Sequence, residues 1–307
     1  MARRGDQKES GVRKVSYYPG LLNDIIFKIV FGGSQSEAVL RALLNALLDL
    51  AGEKKIVGVT VLNPTPEKLY FDDKGPLLDL RAKDERGTYY HVEVQLRSAG
   101  SAYIKRSLYY TARLYTDQLK SGHQYDRLTR CISISLLDFV LFPENDQLHS
   151  TFTLWDQEQS RQLTDDFELH YIELPKYTPD KPKAVQTRFE KWLYVLKYSD
   201  LYHTRELPEN IKDEEGIQMA IDSMRNAYSQ DLIRAVIEAQ EKAEHDRVSE
   251  LYAARNEGLQ EGLEQGLEQG LEQGRERVEQ AERERDAQRH RAEQLAAKLR
   301  ELGVEPE

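Results

Sequence analysis

Residues 90–97, within a predicted strand over residues 88–97, alternate strictly between apolar and polar side chains. This pattern constrains the fold more than any other feature of the chain. The apolar set is Tyr90, Val92, Val94 and Leu96, and the polar set is His91, Glu93, Gln95 and Arg97. Successive side chains of a β-strand point to opposite faces of a sheet, so the pattern predicts one face on a core and one on a polar cleft. Residues 77–83 predict a neighbouring strand, joined to the first by a charged turn at residues 84–87.

Two carboxylates, Asp79 and Glu93, stand at the ends of these two predicted strands. Acidic groups on adjacent strands form a hard-oxygen site of the kind that Mg²⁺, or Mn²⁺, prefers, and a metal ion held there can activate water for phosphodiester hydrolysis. The backbone carbonyl of Val94 is a candidate third ligand. The side chain of Gln95 emerges on the same face as that of Glu93 and can orient water or phosphate by hydrogen bonds. His91 is interpreted as a surface strand residue and not as a ligand.

Three further residues are candidates for accessory or phosphate contacts. Asp24, near the start of the first predicted helix, is an acidic candidate. Arg106 and Tyr110, one helical turn apart in a later predicted helix, are candidates for holding a phosphate. Each has a structural alternative: Asp24 as a helix N-terminal charge with Asn23 as the cap, Arg106 as a bridge to Glu93, and the tyrosine as ordinary packing.

The remaining pattern predicts a mixed arrangement of helices and strands. Helical spacing of apolar residues predicts helices in residues 21–31, 35–51, 101–120, 184–198 and 210–255. Further strands are predicted in residues 55–63, 131–140, 150–155 and 168–174, the last two as a hairpin, with a loop at residues 175–182.

The tail contains the one true repeat of the sequence. Gly258-Leu-Gln-Glu precedes three copies of Gly-Leu-Glu-Gln in residues 262–273, and a heptad seam with a polar centre follows in residues 278–302. We expect a short coiled coil joining a homodimer or a higher homo-oligomer, because the glycines weaken the helix as a single chain. A solvated charged helix is the alternative. The predicted division is a flexible basic arm (1–18), a core (19–178), a helical region (179–256) and the repeat and coiled-coil tail (257–307).

Composition limits the cellular compartment and the classes of partner that we expect for this chain. The single cysteine, Cys131, permits no intrachain disulfide, and no apolar run is long enough to cross a bilayer, so we expect a cytoplasmic protein that makes no use of a membrane. The net charge of −10 argues weakly against a nucleic-acid partner. Residues 97–130, however, contain seven Lys or Arg and two Asp, a local net charge of +5 that favours contact with phosphate.

Several segments, in their order and spacing, resemble the Rpn family of recombination-promoting nucleases, also labelled transposases, within the PD-(D/E)XK nuclease superfamily. The matching segments are residues 23–32, Asp79 with residues 83–87, and residues 90–95, 106–110, 115–118, 132–139 and 169–175. The glycine-spaced tail is also similar to tails in that family. Two departures from the superfamily pattern stand out. Pro76 lies three residues before Asp79 instead of just before it, and Gln95 takes the place of the superfamily lysine, as in the Rpn pattern itself.

The resemblance implies an α/β fold with a PD-(D/E)XK restriction-endonuclease-like core, a mixed central sheet flanked by helices, followed by the helical C-terminal region and coiled coil. It implies Asp79 and Glu93 as metal ligands and metal-dependent cleavage of DNA, in recombination or in defence against mobile elements and phages. The source of positive charge is left open among Arg97, Lys105 and Arg106. The alternative is a non-catalytic interaction protein with a nuclease fold that assembles through its C-terminal helices. A DDE-type transposase needs a third acid in a different fold, for which the sequence offers no compelling candidate.

Overall fold

The structure is a computed structural model that describes residues 18–33, 35–62, 79–97, 100–122, 124–179 and 182–301. The predicted basic arm up to residue 17, Pro76 and the first two residues of the predicted 77–83 strand lie outside the described residues. The described part contains a six-stranded mixed sheet with helices, which confirms the predicted α/β class.

The strands pair in the order β1-β2-β3-β4-β6-β5. Their bounds are β1 Val59–Val61, β2 Asp79–Asp84, β3 Tyr89–Gln95, β4 Cys131–Leu137, β5 His149–Asp156 and β6 Arg161–Glu173. Strands β3, β4 and β6 run parallel, while β1 with β2, β2 with β3, and β5 with β6 are antiparallel. The predicted β2–β3 hairpin and β5–β6 hairpin are therefore both present.

The helices are α1 Asp24–Gly32, α2 Glu37–Leu47, α3 Ser101–Thr116, α4 Arg188–Tyr198, α5 Glu209–Lys212, α6 Ile217–Ser229 and α7 Asp231–Glu301. Asn23 caps α1 as predicted, because its side chain accepts hydrogen bonds from the backbone N–H groups of Ile25 and Ile26. The predicted helix over residues 210–255 is wrong in its continuity. Gly216 has a φ of +83°, a left-handed conformation that glycine adopts without strain, and it separates α5 from α6.

Two hydrophobic clusters lie on opposite faces of the sheet. The larger contains the apolar face of β3 (Tyr90, Val92 and Val94) together with side chains of α1, α2, α4 and α6. The smaller contains Tyr103 of α3 with Leu137 and Tyr171. Helix α3 connects two parallel strands, β3 and β4, and such a crossover has to lie on a face of the sheet. Helix α3 therefore covers the face that carries the polar side chains of β3.

The chain divides into two compact units, residues 1–237 and 238–307. In the first unit, the opening turns of α7 bury Ile233 and Ile237 in the larger cluster. The second unit is helical as far as Glu301, and residues 245–295 are all exposed. No helix among the described residues has the length and apolar character needed to cross a membrane. The coiled coil and the four-segment division of the chain stay predictions.

A chain of polar side chains runs from Arg130, the residue before β4, through β6 to β5. His149 Nε2 lies 2.8 Å from His170 Nδ1, and His170 Nε2 lies 2.8 Å from Glu168 Oε1. The other carboxylate oxygen of Glu168 pairs with Arg130. The hydrogen bond from His170, supported by Arg130, lowers the pKa of Glu168 to about 2. Burial, with the neighbouring His170, lowers the pKa of His149 to about 4.

We expect the free energy of unfolding to fall as the pH drops from 6.5 to about 4. In this window His149 becomes protonated in the unfolded chain but stays neutral in the folded protein. The folded state is therefore most stable, relative to the unfolded chain, above the pKa of His149 in the unfolded chain, and this advantage is lost as the pH falls toward the pKa in the folded protein. Solvent screening of the partly exposed ring limits the loss to about 2 kcal/mol. Glu168 adds its own loss only below its ordinary pKa of 4.5.

The measurement is urea unfolding at several pH values on the wild type and on His149→Phe. The phenylalanine keeps an aromatic ring against Phe189, whose ring centre lies 5.4 Å from that of His149. We expect the variant to lose most of the pH slope between 6.5 and 4. An unchanged slope would show that groups other than His149 cause the pH dependence of the free energy of unfolding.

Candidate active site

The register of β2 and β3 places Asp79 directly opposite Glu93. Tyr89 N donates to Arg130 O and Asp138 N donates to Gln95 O, so the odd-numbered backbone groups of β3 face β4. Glu93 therefore sits at a non-hydrogen-bonded position relative to β2, where the Cα atoms of a pair lie only about 4.5 Å apart. Opposite residues of paired strands belong to the same face, so both acidic positions lie on the α3 face of the sheet.

Glu93 is buried, with 4% of the residue exposed, and its side chain has partners from α3. Arg106 Nη2 donates to Glu93 Oε1 at 2.6 Å, and the Tyr103 hydroxyl lies 3.4 Å from Glu93 Oε2. Burial, together with the charge of Glu93, raises the pKa of Tyr103 well above its ordinary value, so this hydroxyl keeps its proton and can donate. The structural alternative for Arg106, a bridge to Glu93, is confirmed as a contact.

The Gln95 amide is fixed at both of its ends. Its Oε1 accepts from Arg106 Nη2 at 2.5 Å, and its Nε2 donates to the backbone carbonyl of Arg97 at 3.0 Å. A single guanidinium nitrogen thus binds both Glu93 and Gln95. Of the three cations that the sequence left open, Arg106 makes these side-chain bonds to Glu93 and Gln95, and its own side chain remains 35% exposed.

The other predicted site residues are less closely tied to this cluster. Even-numbered backbone groups of β3 face β2, so the Val94 carbonyl points past Asp79, where β2 begins. The ring centre of Tyr110 lies 6.0 Å from that of His91. Asp24 is the half-buried first residue of α1. The roles of these three residues stay predictions.

The polar face of β3 is not an open cleft along its length. His91 is 1% exposed, so its interpretation as a surface residue is wrong, and its Nδ1 lies 3.2 Å from Ser133 Oγ. Serines on β4 leave room for the polar side chains across the sheet, because Ser133 pairs with His91 and Ser135 pairs with Glu93 in the register. Helix α3 then covers both pairs.

Sequence reasoning missed a buried polar layer contributed by α3 and β6. Tyr103, Ser107 and Thr111 lie on the buried side of α3, and the Ser107 and Tyr171 hydroxyl oxygens are 2.6 Å apart. A signal was present in the sequence. These three α3 residues recur at i, i+4 and i+8, so the buried stripe of this helix carries hydroxyl groups where a core helix normally carries aliphatic side chains.

The donor set suits a hard divalent cation. The Glu93 carboxylate, the acidic position 79 and the Val94 carbonyl offer oxygen ligands, and the neighbouring amide and hydroxyl groups can orient them. The described residues contain no group of three or more His, Cys, Asp or Glu with metal-binding geometry, and the side chain of Asp79 lies outside them. Of the candidate ligand side chains, the one that the structure describes is therefore the buried carboxylate of Glu93, which is already paired with Arg106.

A family model described as PD-(D/E)XK nuclease family transposase matches residues 21–254 of the 307. The match begins at the N-terminal end of the larger cluster and includes both acidic positions, the Arg106 helix and all six strands. Comparisons with curated proteins and with solved structures gave no significant match.

Proposed function

Since this chain belongs to the PD-(D/E)XK nuclease family transposases, we propose that it is a divalent-metal-dependent DNA endonuclease that hydrolyses phosphodiester bonds. The observation that carries the proposal is the buried Glu93 carboxylate, which lies beside a guanidinium at the strand position opposite residue 79 in the register of β2 and β3. The cellular role that we propose is DNA recombination or defence against mobile elements and phages, in the cytoplasm.

The proposed roles follow from the chemistry of each side chain. Nucleases of this superfamily generally use divalent ions, and a bound Mg²⁺ or Mn²⁺ supplies a nucleophilic water and charge stabilisation on the phosphate. Asp79 and Glu93, with the Val94 carbonyl, would hold that ion. Gln95 orients water or a phosphate oxygen through its amide, whose Nε2 donates to the Arg97 carbonyl. Arg106 provides the positive charge that the superfamily lysine would otherwise bring.

The composition of α3 supports DNA as the partner. This helix carries Lys105, Arg106 and Arg113 and no acidic residue, in a chain whose net charge is −10. Lys105 and Arg113 are exposed, and between them Tyr109 is 60% exposed. Exposed cations and an aromatic ring on one helix face suit contact with phosphates and bases. The helix that binds Glu93 therefore also presents a surface for the polyanion.

The test is cleavage of supercoiled plasmid by the purified full-length chain with Mg²⁺, with Mn²⁺ and with excess chelator. We expect nicked or linear product with either ion and none with the chelator. Single-stranded DNA and RNA in parallel reactions define the substrate class. No cleavage of any nucleic acid with either ion would favour the alternative, an interaction protein that has the nuclease fold without its activity.

We also propose that the tail joins copies of this chain. Leu259, Leu263, Leu267 and Leu271 are 64%, 67%, 66% and 59% exposed on the second unit. Isolated helices depend on tertiary packing for their stability, and the repeated glycines weaken this one further. A second copy of the same helix would bury the leucines and supply that packing.

Light scattering on the full chain and on a version lacking residues 258–307 tests this assembly. We expect the full chain to have at least twice its monomer mass and the shortened chain to have a lower multiple. Gly262→Ala removes about 1 kcal/mol of helix cost at a position where the new methyl group meets no atom of the described residues within 4 Å. Its molar mass by light scattering gives a second comparison with the full chain. A mass equal to one monomer for the full chain, and likewise for the shortened chain, would contradict the proposed assembly.

A further inference from the structure

Arg106 binds the two polar side chains that the proposed chemistry needs. Its Nη2 lies 2.6 Å from Glu93 Oε1 and 2.5 Å from Gln95 Oε1. The Glu93 side chain is only 5% exposed, while that of Arg106 is 35% exposed. The Arg106 Nε is buried and makes no hydrogen bond to the described residues. Both bonds therefore use the same guanidinium nitrogen, Nη2, and other N–H groups of Arg106 are not used by Glu93 or Gln95.

This pairing competes with a divalent ion for the same carboxylate. The hydrogen bond from Arg106 occupies one of the lone pairs of Glu93 Oε1. A second cation beside the guanidinium would also meet like-charge repulsion at low dielectric. If Arg106 moved away from Glu93 without finding another anion, the partly buried guanidinium charge would be unpaired, which is unfavourable. The free protein is therefore expected to bind a divalent ion weakly at this site.

A DNA phosphate offers Arg106 the other anion. Guanidinium groups bind phosphate through two parallel hydrogen bonds, and Arg106 has donors that Glu93 and Gln95 do not use. The backbone of α3 is held by the buried side chains of Tyr103, Ser107 and Thr111, so exchange requires movement of the Arg106 side chain alone. The ring of Tyr103, 5.0 Å from the guanidinium carbon, provides an aromatic surface along which it can move.

We propose that Arg106 is a positioning residue that couples the binding of DNA to the binding of the divalent ion. Without DNA it neutralises Glu93 and lowers the affinity for the ion. With DNA it pairs with a phosphate and releases Glu93 as a ligand. This inference rests on the proposed function, and it adds that DNA and the ion bind cooperatively. By thermodynamic linkage, the ion then raises the affinity for DNA by the same factor.

The experiment measures Mn²⁺ affinity from the electron paramagnetic resonance signal of the free ion, using full-length protein with and without a short DNA duplex. Readings are taken before cleavage products appear on a gel. Without DNA, we expect Arg106→Gln to bind Mn²⁺ at least about fivefold more tightly than the wild type. Adding the duplex should tighten binding to the wild type by a similar factor and leave Arg106→Gln unchanged.

Two control variants and one intermediate variant complete the comparison. Arg113→Gln removes a charge from the same helix, where Arg113 pairs with Asp117, so without DNA it measures the long-range electrostatic effect of losing one α3 cation on Mn²⁺ binding. Glu93→Gln measures the binding of Mn²⁺ outside the site and to the duplex. Arg106→Lys keeps the charge without the planar group, and we expect an affinity between those of the wild type and Arg106→Gln. Thermal unfolding confirms that each variant is folded.

The outcomes separate this inference from the proposed function. If Arg106→Gln binds Mn²⁺ no more tightly than Arg113→Gln does, the coupling role is wrong, and cleavage by the wild type would leave the nuclease proposal standing. If neither the wild type nor Arg106→Gln binds more Mn²⁺ than Glu93→Gln does, with or without duplex, the metal site itself is wrong. Cooperative binding of DNA and Mn²⁺ without any cleavage would support the coupling role of Arg106 and overturn the proposed hydrolytic function.

Discussion

Glu93→Gln is expected to lower the rate of metal-dependent plasmid cleavage by about 10³-fold or more. Removal of a carboxylate ligand loses several kcal/mol of transition-state stabilisation, and each 1.36 kcal/mol is about a factor of ten in rate. The amide has nearly the shape of the carboxylate and keeps an oxygen that can accept from Arg106, so the fold should survive. The measurement is the initial rate of nicking at saturating Mg²⁺, with thermal unfolding recorded on the same samples.

The matched control is Glu158→Gln, which makes the same chemical change on an exposed residue between β5 and β6. It should cleave at the wild-type rate. Asp79→Asn should lose activity to an extent similar to Glu93→Gln, since the register sets the two acidic positions opposite each other. Wild-type cleavage by Glu93→Gln would exclude this carboxylate as a ligand. A large loss in Glu93→Gln alone would mean that Glu93 acts without Asp79.

Local sequence pattern was sufficient for most elements around the site. Alternation in residues 90–97 predicted β3, and the charged turn before it is present, with Asp84 Oδ1 accepting from the backbone of Arg86 and Thr88. Gly87 has a φ of +93° in that turn. These features depend on a few adjacent residues, whose conformational preferences are expressed whatever the rest of the chain does. The opposed acidic positions followed directly, because a tight hairpin fixes register.

Burial and partner choice at the site were not predictable in the same way. The prediction that His91 is a surface residue was wrong because a period of two distinguishes the two faces of a strand but does not show which face is covered by other elements. Coverage depends on where α3 docks, which in turn depends on serines of β4 and on Tyr171 of β6. The bridge from Arg106 to Glu93 was one alternative among several, since tertiary packing brings the two groups together.

The break in the predicted 210–255 helix has a similar cause. Gly216 alone is a weak signal, since a single glycine inside a helical pattern is tolerated. In the structure a Cβ at Gly216 would lie 2.5 Å from the Ala42 Cβ and 3.1 Å from Trp192 Cζ2. The close approach of α2 and α4 to this turn is a long-range feature, and it makes glycine necessary where the local sequence only permits it.

Gly216→Ala is therefore expected to lower the free energy of unfolding by about 3 kcal/mol. A left-handed conformation costs a residue with a Cβ about 1–2 kcal/mol, and inserting a methyl group into a packed core costs about 1–3 kcal/mol more. Both neighbours are rigidly held, with Ala42 4% exposed and Trp192 fully buried. Urea unfolding followed by far-ultraviolet circular dichroism gives the value, and the slope with urea concentration checks that the compactness of the native state is unchanged.

Two variants separate the backbone cost from the packing cost. Gly122→Ala places alanine at a similar φ, +87°, where the new Cβ meets no atom of the described part of the chain within 4 Å. We therefore expect a loss of only about 1 kcal/mol. Ala42→Gly removes the methyl group closest to the new one, and the double variant Gly216→Ala with Ala42→Gly should be more stable than the sum of the two single losses predicts, by about 1–2 kcal/mol. Strict additivity, or an equal loss in Gly122→Ala and Gly216→Ala, would show that backbone strain alone requires glycine. The excess in Gly216→Ala measures how tightly α2 and α4 enclose the turn that begins α6, and hence how firmly these helices support the face of the sheet opposite α3.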